Sequence, residues 1–312
     1  MKLSDYKNNV KIKKLIEDSQ NSNDIITDKV LLENQNILDE FLLNYKECNL
    51  DTKCEQVVKN YQVDLVFKDH QFYLKNVLCV HGKQTEKLFI IKKNYWFCDF
   101  DLNLFHLTID EYFNTQLNNS LFTLLDQNEK NIRKTILKTI IKQIQKGYKK
   151  GFYLYGNSGV GKTYIFKVLA NTLASKNKTV IFSTLRSLID KLKESFNSSE
   201  INSLTLIKKI KTVDFLFLDD IGGENLSLWA RDDFLFEVLN YRMENQKPTF
   251  FTSNFSIDLL EKNLQFTKQY NNFLTTQDVF KLEKIKIDRL ISRIKTLAKE
   301  INLIGKNKRQ TN

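Results

Sequence analysis

The hydrophobic pattern of the second half of the chain predicts an α/β domain. Short runs that are almost entirely apolar alternate there with longer segments in which apolar residues recur every three or four positions. The apolar runs predict four strands, at residues 152–155, 179–183, 215–219 and 247–254. The longer segments predict helices at residues 164–174, 185–196 and 228–244. Because buried strands that alternate with helices are typical of parallel sheets, we expect a parallel sheet flanked by helices.

The first part of the chain has a different pattern, which predicts a small α+β domain. Residues 1–22 are polar and predict a frayed or loosely helical start, whereas residues 23–46 have the apolar spacing of an amphipathic helix. Four short segments rich in β-branched and aromatic residues follow between residues 61 and 112: VDLVF, FYLKNVLCV, KLFIIKK and YWFCDF. They predict a small antiparallel sheet.

These patterns divide the chain into two domains joined by a linker. Residues 114–130 are polar and poor in β-branched residues, which is typical of a linker, and a basic helix is predicted directly after it, at residues 131–148. We therefore expect an N-terminal domain at 1–113, a linker at 114–130 and an α/β domain at 131–312. A chain of 312 residues with 42% hydrophobic residues is large enough for two such cores.

The last predicted helix has one apolar face and one basic face. Its apolar stripe contains Ile287, Leu290, Ile291, Ile294, Leu297, Ala298 and Ile301. Arg289 and Arg293 are four residues apart, so they share a face, and at 100° per residue this face points away from the stripe. Such an arginine pair is available to a neighbouring subunit, whereas in a monomer it would only be a solvated surface.

A glycine-rich segment between the first strand and the first helix of the α/β domain has the pattern of a phosphate-binding loop. It contains Gly156, Asn157, Ser158, Gly159, Val160, Gly161, Lys162 and Thr163. Glycines let the backbone approach phosphates closely, and the N–H groups at the helix N-terminus attract anions. Lys162 would reach the β- and γ-phosphates of a nucleotide such as ATP, and Thr163 would bind Mg²⁺. The alternative is a glycine-rich turn that matches by chance.

Polar side chains follow two of the buried strands, at the edge of the sheet where ligands bind in this fold class. Asp219 ends one strand and is placed to hold Mg²⁺, and Asp220 is a candidate base that orients an attacking water. Asn254 ends the next strand and would project near the γ-phosphate. The alternatives are two carboxylates that cap a helix and a polar turn that ends a strand.

The cysteine and histidine residues indicate a metal site in the N-terminal domain. All four cysteines and all three histidines fall between residues 48 and 106. A zinc site formed by Cys48, Cys54 and Cys79, with His81 or Cys98 as the fourth ligand, would suit a small sheet with a thin core. The spacing is not one of the standard paired forms, so buried free cysteines are the alternative.

The net charge of +11 lies entirely in the second part of the chain. Residues 1–100 have 15 basic and 15 acidic residues, whereas residues 101–312 have 33 and 22. A basic domain indicates a polyanionic partner such as nucleic acid, although a Lys- and Asn-rich composition also follows from an AT-rich genome. No apolar run of 18 residues and no signal-peptide pattern is present, so we expect a cytoplasmic protein without a membrane partner.

Several stretches resemble the bacterial helicase-loader family of AAA+ ATPases. The glycine spacing of the phosphate loop is similar to the AAA+ form. The other matching stretches are LDDIGGE at 218–224, WARDD at 229–233, YRM at 241–243, PTFFTSNF at 248–255, DRLISRI at 288–294 and GKNKR at 305–309. The resemblance covers residues 148–309 closely and the N-terminal domain more loosely.

This resemblance implies an ATPase that delivers a hexameric replicative helicase onto single-stranded DNA. It implies that the N-terminal domain contacts the helicase and that the AAA+ domain binds ATP, Mg²⁺ and single-stranded DNA. Lys162 and Thr163 match the Walker A pair, Asp219 and Asp220 the Walker B pair, and Asn254 the sensor-1 position. Arg293 matches an arginine finger that acts across a subunit boundary, which implies self-association, and Arg289 matches its companion.

The chain departs from the family pattern at two places. A further cysteine of the family's metal cluster is missing near Tyr45 and Lys46, and Asp220 is one methylene shorter than the glutamate of most AAA+ hydrolases. Two other functions therefore remain open. One is an ATPase that assists a transposase, which would need a different targeting domain, and the other is a nucleotide-dependent adaptor without hydrolysis.

Overall fold

The structure of the chain, a computed structural model, describes residues 2–21, 24–114, 127–147, 149–197, 203–223, 227–266 and 276–308. The chain forms two compact units, Met1–Phe89 and Ile90–Asn312. No helix within the described ranges is long and apolar enough to span a bilayer.

The division between the units differs from the predicted boundary at residue 113. Residues 90–113 belong to the larger unit. The division between the units falls within the helix Val80–Asn94, whose last five residues belong to the larger unit. Most of the predicted linker lies outside the described residues, and its last four residues begin the helix Gln127–Gln145. The polar composition that predicted a linker therefore says little about where the second unit begins.

The smaller unit packs four short helices against a β-hairpin. The helices are Leu3–Asn8, Val10–Ser19, Asp28–Glu33 and Gln35–Asn44. Strands β1 (Tyr61–Lys68) and β2 (Gln71–Leu78) pair antiparallel and are joined by Asp69 and His70, both in the left-handed region. The core contains Tyr6, Ile12, Leu38, Phe41, Leu65 and Phe72, all with at most 1% of their surface exposed.

Of three predictions for residues 1–93, the first was right in part and the other two were wrong. The polar residues 1–22 supply two helices, because Tyr6 and Ile12 are each fully buried and Asn9 caps the second helix. The amphipathic segment 23–46 is broken into two helices at Asn34. The segment KLFIIKK is helical, because short apolar runs do not distinguish a strand from a buried helix.

The larger unit is a six-stranded parallel sheet covered by helices. Its strand order is β3-β5-β6-β7-β4-β8. The strands are β3 (Tyr95–Cys98), β4 (Gly151–Tyr155), β5 (Val180–Thr184), β6 (Phe215–Asp219), β7 (Thr249–Ser253) and β8 (Ala298–Asn302). All five of their pairings are parallel. The predicted strands β4 to β7 are thus confirmed.

Helices connect these strands and supply most of the core. They are Ile109–Asn114, Gln127–Gln145, Lys162–Ser175, Leu185–Asn197, Ser203–Thr212, Phe236–Glu244, Ile257–Phe266 and Thr276–Leu297, with a π-helix at Trp229–Leu235. The apolar stripe of Thr276–Leu297 is buried as predicted, with Ile287, Leu290 and Ile294 each at most 2% exposed. Side chains from this helix and from the strands share one cluster.

Neither outer strand was predicted as part of this sheet, and only β3 was predicted as a strand at all. The segment YWFC forms β3, which pairs parallel with β5 rather than joining the small antiparallel sheet. Its Tyr95 hydroxyl donates to Asn171 Oδ1 at 2.9 Å, which ties this edge to the helix Lys162–Ser175. At the other edge the last helix ends at Leu297, and Ala298 and Ile301 lie in β8 beside β4. The apolar residues Ala298 and Ile301 of β8 continue the helical spacing, and no residue separates the helix from the strand. The sequence pattern therefore does not show where the helix ends.

Candidate functional site

The carboxyl ends of β4, β6 and β7 bring the predicted nucleotide-binding residues to one edge of the sheet. The loop after β4 runs from Gly156 to Gly161 and leads into the helix Lys162–Ser175. Gly159 and Gly161 have φ of 79° and 94°, values that side chains with a Cβ rarely adopt. Gly161 is the N-cap of the helix, so the loop presents the positive end of the helix to the cavity.

Lys162 lies within this loop and is only 7% exposed. Its Nζ donates to the carbonyl oxygens of Gly156 at 2.8 Å and Asn157 at 2.9 Å, and to Asn254 Oδ1 at 2.8 Å. These contacts hold the ammonium between the phosphate loop and the end of β7. The side chain is therefore positioned before any phosphate reaches it.

Thr163 and Asp219 form an oxygen-rich pair beside the loop. The Thr163 hydroxyl donates to Asp219 Oδ1 at 2.9 Å, and the Thr252 hydroxyl donates to the same oxygen at 2.5 Å. Burial raises the pKa of Asp219, and the neighbouring Asp220 adds to this, while the two hydroxyls oppose it. A hydroxyl and a carboxylate at this distance fit Mg²⁺, a cation that prefers oxygen ligands.

Asp220 and Asn254 meet on the solvent side of the same edge. The Asn254 amide donates to Asp220 Oδ1 at 3.2 Å, and the Asp220 N–H donates to the Thr252 hydroxyl at 2.8 Å. Asp220 has φ of 54°, which turns the chain sharply after β6 and leaves its carboxylate exposed. Asn254 therefore contacts both the buried lysine and the exposed carboxylate.

These residues border a cavity of about 510 Å³. The polar part of its wall contains Ser158, Lys162, Thr163, Asp219, Asp220 and Asn254, and an apolar part contains Phe105, Tyr112, Val160 and Ile165. A cavity of this size falls within the range of small-molecule sites, and its lining combines charged and aromatic side chains. The arrangement suits a nucleotide, which has phosphates and a flat base.

Sequence reasoning missed several further residues at this site, among them Arg133, Lys167, Thr252 and Lys308. Lys167 is four residues after Thr163 and so lies on the same helix face, which is the one signal that could have found it. Its Nζ lies 4.5 Å from the centre of the Phe100 ring, and burial lowers its pKa. Arg133 and Lys308 are distant in sequence, and no local pattern predicts their approach.

Arg289 and Arg293 do not line this cavity. They share one face of the last helix, as predicted, and both guanidinium groups lie over the Phe236 ring, at 4.4 Å and 5.5 Å from its centre. The Nε of Arg293 also donates to Asn240 Oδ1 at 2.8 Å. Arg289 is exposed and Arg293 is half-buried, so the pair is partly held by its own subunit.

Comparisons with known proteins agree with this geometry. A family model described as IstB-like ATP binding protein matches residues 128–294, more than half of the chain. The chain belongs to this family of ATP-binding proteins. The predicted AAA+ fold class, a parallel sheet flanked by helices around a phosphate loop, is confirmed.

The predicted resemblance to helicase loaders is also confirmed. The chain is 36% identical over 157 residues to the replicative helicase loader DnaI of Bacillus subtilis, covering 50% of this chain and 47% of that protein. It is 24% identical over 113 residues to the replicative helicase loader DnaC of Escherichia coli K12, covering 36% and 46%. A crystal structure of DnaI is 30% identical with a TM-score of 0.49, covering 70% of this chain and 98% of that one. The chain spans about half the length of the two curated relatives, DnaI and DnaC.

The smaller unit of this family member gathers four of the predicted metal ligands. The side-chain donors of Cys48, Cys54, Cys79 and His81 all lie within 4.8 Å of one another. The Sγ atoms of Cys54 and Cys79 are 3.8 Å apart, close to the edge of a tetrahedron with Zn–S bonds of about 2.3 Å. Of the two predicted fourth ligands, His81 belongs to the cluster. Cys98 lies in the other unit, where its thiol donates to the Phe100 carbonyl at 3.2 Å.

The surroundings of this cluster suit a metal ion. His81 Nε2 lies 2.8 Å from the Thr52 carbonyl oxygen, so this nitrogen carries the proton. The unprotonated Nδ1, 2.9 Å from Cys48 Sγ, is then the atom that can bind a metal ion. Hydrogen bonds from the backbone near Asn60 and Gln56 lower the pKa of Cys54 to about 7. The three sulfurs and one nitrogen fit Zn²⁺, which would crosslink the segment 48–54 to the end of β2 and the start of the next helix.

Proposed function

We propose that this protein is an ATP-hydrolysing switch that loads a replicative DNA helicase onto single-stranded DNA. The observation that carries the ATP part is the convergence of Lys162, Thr163, Asp219 and Asn254 at one edge of a parallel sheet. The convergence joins three strand ends that are far apart in sequence. A chance glycine-rich turn would not explain why the other two strands deliver matching polar groups to it.

The geometry supports hydrolysis of the γ-phosphate by water. Lys162 and the loop N–H groups would bind the β- and γ-phosphates, while Thr163 and Asp219 would hold Mg²⁺, which neutralises phosphate charge when bound. Asp220 would orient a water molecule and accept its proton. As the water oxygen bonds to the γ-phosphorus, the bond to the oxygen that bridges to the β-phosphate breaks, and the products are ADP and phosphate. Asn254 would position Asp220 relative to the phosphate, because it contacts both Asp220 and Lys162.

The loading part of the proposal is supported by the relatives and by charge. Both loaders, DnaI and DnaC, are matched over only part of their length, so the shared feature is a domain rather than a whole protein. The excess of basic residues in 101–312 suits the DNA backbone, because Lys and Arg neutralise phosphates. The smaller unit, with its candidate zinc site, would contact the helicase. Arg293, with Arg289 beside it, would reach the ATP of an adjacent subunit when the protein self-associates.

The test is a loading assay with the full chain, the hexameric replicative helicase of the same cell and a single-stranded DNA circle. We expect ATP-dependent transfer of helicase onto the circle. Asp220→Asn should bind ATP normally but turn it over at least about 100-fold more slowly, because general-base catalysis typically contributes 10²–10⁴-fold. Helicase content of the isolated circles and phosphate release are the two measurements.

The possible outcomes separate the competing functions. ATP binding and loading without phosphate release in the wild-type protein would indicate an adaptor. No association with the helicase, with or without ATP, would contradict the loader and favour a transposase-type partner.

A further inference from the structure

The last described segment of the chain returns to the phosphate loop and contacts it from behind. We call this segment, Leu303–Lys308, the C-terminal strap. The Leu303 N–H donates to the Tyr155 carbonyl oxygen at 2.7 Å, and the Lys308 N–H donates to the Gly159 carbonyl oxygen at 3.0 Å. The strap therefore touches the loop at its beginning and in its middle.

The contact is too close for side chains on the loop. A Cβ added at Gly159 would lie 1.8 Å from Asn307 Oδ1, and one added at Gly156 would lie 2.3 Å from the Leu303 carbonyl oxygen. The backbone contact at Gly156 therefore requires a glycine for the strap as well as for a phosphate, whereas at Gly159 the atom in the way is the end of the Asn307 side chain, which can move. A segment that merely passed over the surface would not require this.

A buried ion pair anchors the strap to the helix Gln127–Gln145. Glu129 Oε2 accepts from Lys308 Nζ at 2.7 Å, and Oε1 accepts from the Lys306 N–H at 2.8 Å. The two charged side chains are 7% and 9% exposed. Burial alone would raise the pKa of Glu129, but the bonds from Lys308 and Lys306 and the charge of Arg133 outweigh it and lower that pKa.

The same helix also reaches the loop directly. Arg133 is 2% exposed, and it donates from Nη1 to the Glu129 carbonyl oxygen at 2.9 Å and from Nη2 to the Val160 carbonyl oxygen at 2.6 Å. The carbonyl oxygens of Gly159 and Val160 thus each accept a hydrogen bond, from the Lys308 N–H and from Arg133 respectively. Because the C=O and N–H of a trans peptide point in opposite directions, this aims the N–H groups of Val160 and Gly161 the other way.

We propose that the C-terminal strap and its anchor Glu129 are a positioning element of the nucleotide site, which orients the N–H groups of the phosphate loop for phosphate. This rests on the proposed ATP binding. The strap also borders the cavity through Lys308. Because coupling between two sites is reciprocal, nucleotide must in turn stabilise the seated strap.

The test measures nucleotide affinity in full-length variants with a fluorescent ATP analogue. Lys308→Met should weaken affinity by about tenfold or more, since the buried Glu129 carboxylate loses the ammonium that ties the strap to it, although the Lys306 N–H and the charge of Arg133 remain nearby. Lys308→Arg should restore most of it, because the charge returns to the same carboxylate. Lys299→Met is the matched control, as it removes one positive charge from an exposed position in β8. Glu129→Gln is nearly isosteric and repeats the test from the other side.

A second measurement follows the strap itself. Hydrogen exchange in the peptide that contains 303–308 should slow when the wild-type protein binds the analogue, and this slowing should be lost in Lys308→Met. Wild-type affinity in both Lys308→Met and Glu129→Gln would overturn the proposal, as would exchange that nucleotide leaves unchanged. A wild-type protein that binds no nucleotide would instead refute the ATP site on which the proposal rests.

Discussion

Replacing Lys162 by methionine gives the most direct test of the phosphate loop. The substitution keeps the apolar stem of the side chain and removes only the ammonium group. Each hydrogen bond to a charged group contributes about 1.5–3 kcal/mol, so two bonds to phosphate oxygens would contribute about 3–6 kcal/mol.

The contacts of Lys162 in the structure reduce this value. Its Nζ already donates to Gly156, Asn157 and Asn254, and an ammonium has only three donors. Phosphate oxygens must therefore displace part of this set, which costs about 1–2 kcal/mol. The net contribution is about 1–5 kcal/mol, and at 1.4 kcal/mol per tenfold this weakens binding by about 5- to 4,000-fold.

The assay is a titration with a non-hydrolysable ATP analogue, which separates binding from turnover. Lys176→Met is the control, because Lys176 is the exposed C-cap of the same helix and lies about 21 Å from its first residue at 1.5 Å per residue. We expect the control to bind like the wild-type protein. If Lys162→Met bound within about threefold of wild type while remaining folded, Lys162 would not contact the phosphates.

Two further predictions address the zinc site and the arginine pair. The full chain should contain about one equivalent of zinc, which Cys54→Ser lowers and Cys98→Ser does not, and a chelator should reduce its helical circular dichroism; a metal-free wild-type chain with unchanged ellipticity would show that these cysteines are only core. Arg293→Ala should leave ATP affinity unchanged and slow hydrolysis in the assembled protein by roughly 10³-fold or more. Mixing it with Lys162→Met should restore activity, and if both assemble without recovery then Arg293 acts within its own subunit, through its contact with Asn240.

The sequence predicts which residues come together at the candidate phosphate site, because the parts of this site are local. Gly156–Thr163 is one continuous segment, and Asp219 and Asn254 each end an apolar run. In a parallel sheet the carboxyl ends of neighbouring strands meet at one edge, so strand type alone predicts that these groups converge. The structure places Lys162 2.8 Å from Asn254 and Thr163 2.9 Å from Asp219.

The features that the sequence does not predict depend on long-range pairing. The sequence predicts that β3 belongs to the small antiparallel sheet, but β3 pairs with β5, which lies about 85 residues later in the chain. The Glu129–Lys308 pair is separated by 179 positions, and each residue by itself is an ordinary charged residue in a charged segment. The metal cluster is predicted in part. The sequence shows the cysteines and histidines, but only the three-dimensional path of the chain distinguishes His81 from Cys98 as the fourth ligand.

The contacts of Asn254 link the lysine of the phosphate loop to the candidate base. Its Oδ1 accepts from Lys162 and its amide donates to Asp220, so a single side chain joins the phosphate-binding cation to the candidate base. A phosphate that takes a donor of Lys162 competes with Asn254 for it, and any shift of Asn254 changes the hydrogen bond on Asp220. If phosphate binds the loop as proposed, it would therefore alter the contact between Asn254 and the residue proposed to orient water. The C-terminal strap contacts the same loop, so in the proposed mechanism Glu129 would hold the loop in place and Asn254 would respond to the bound phosphate.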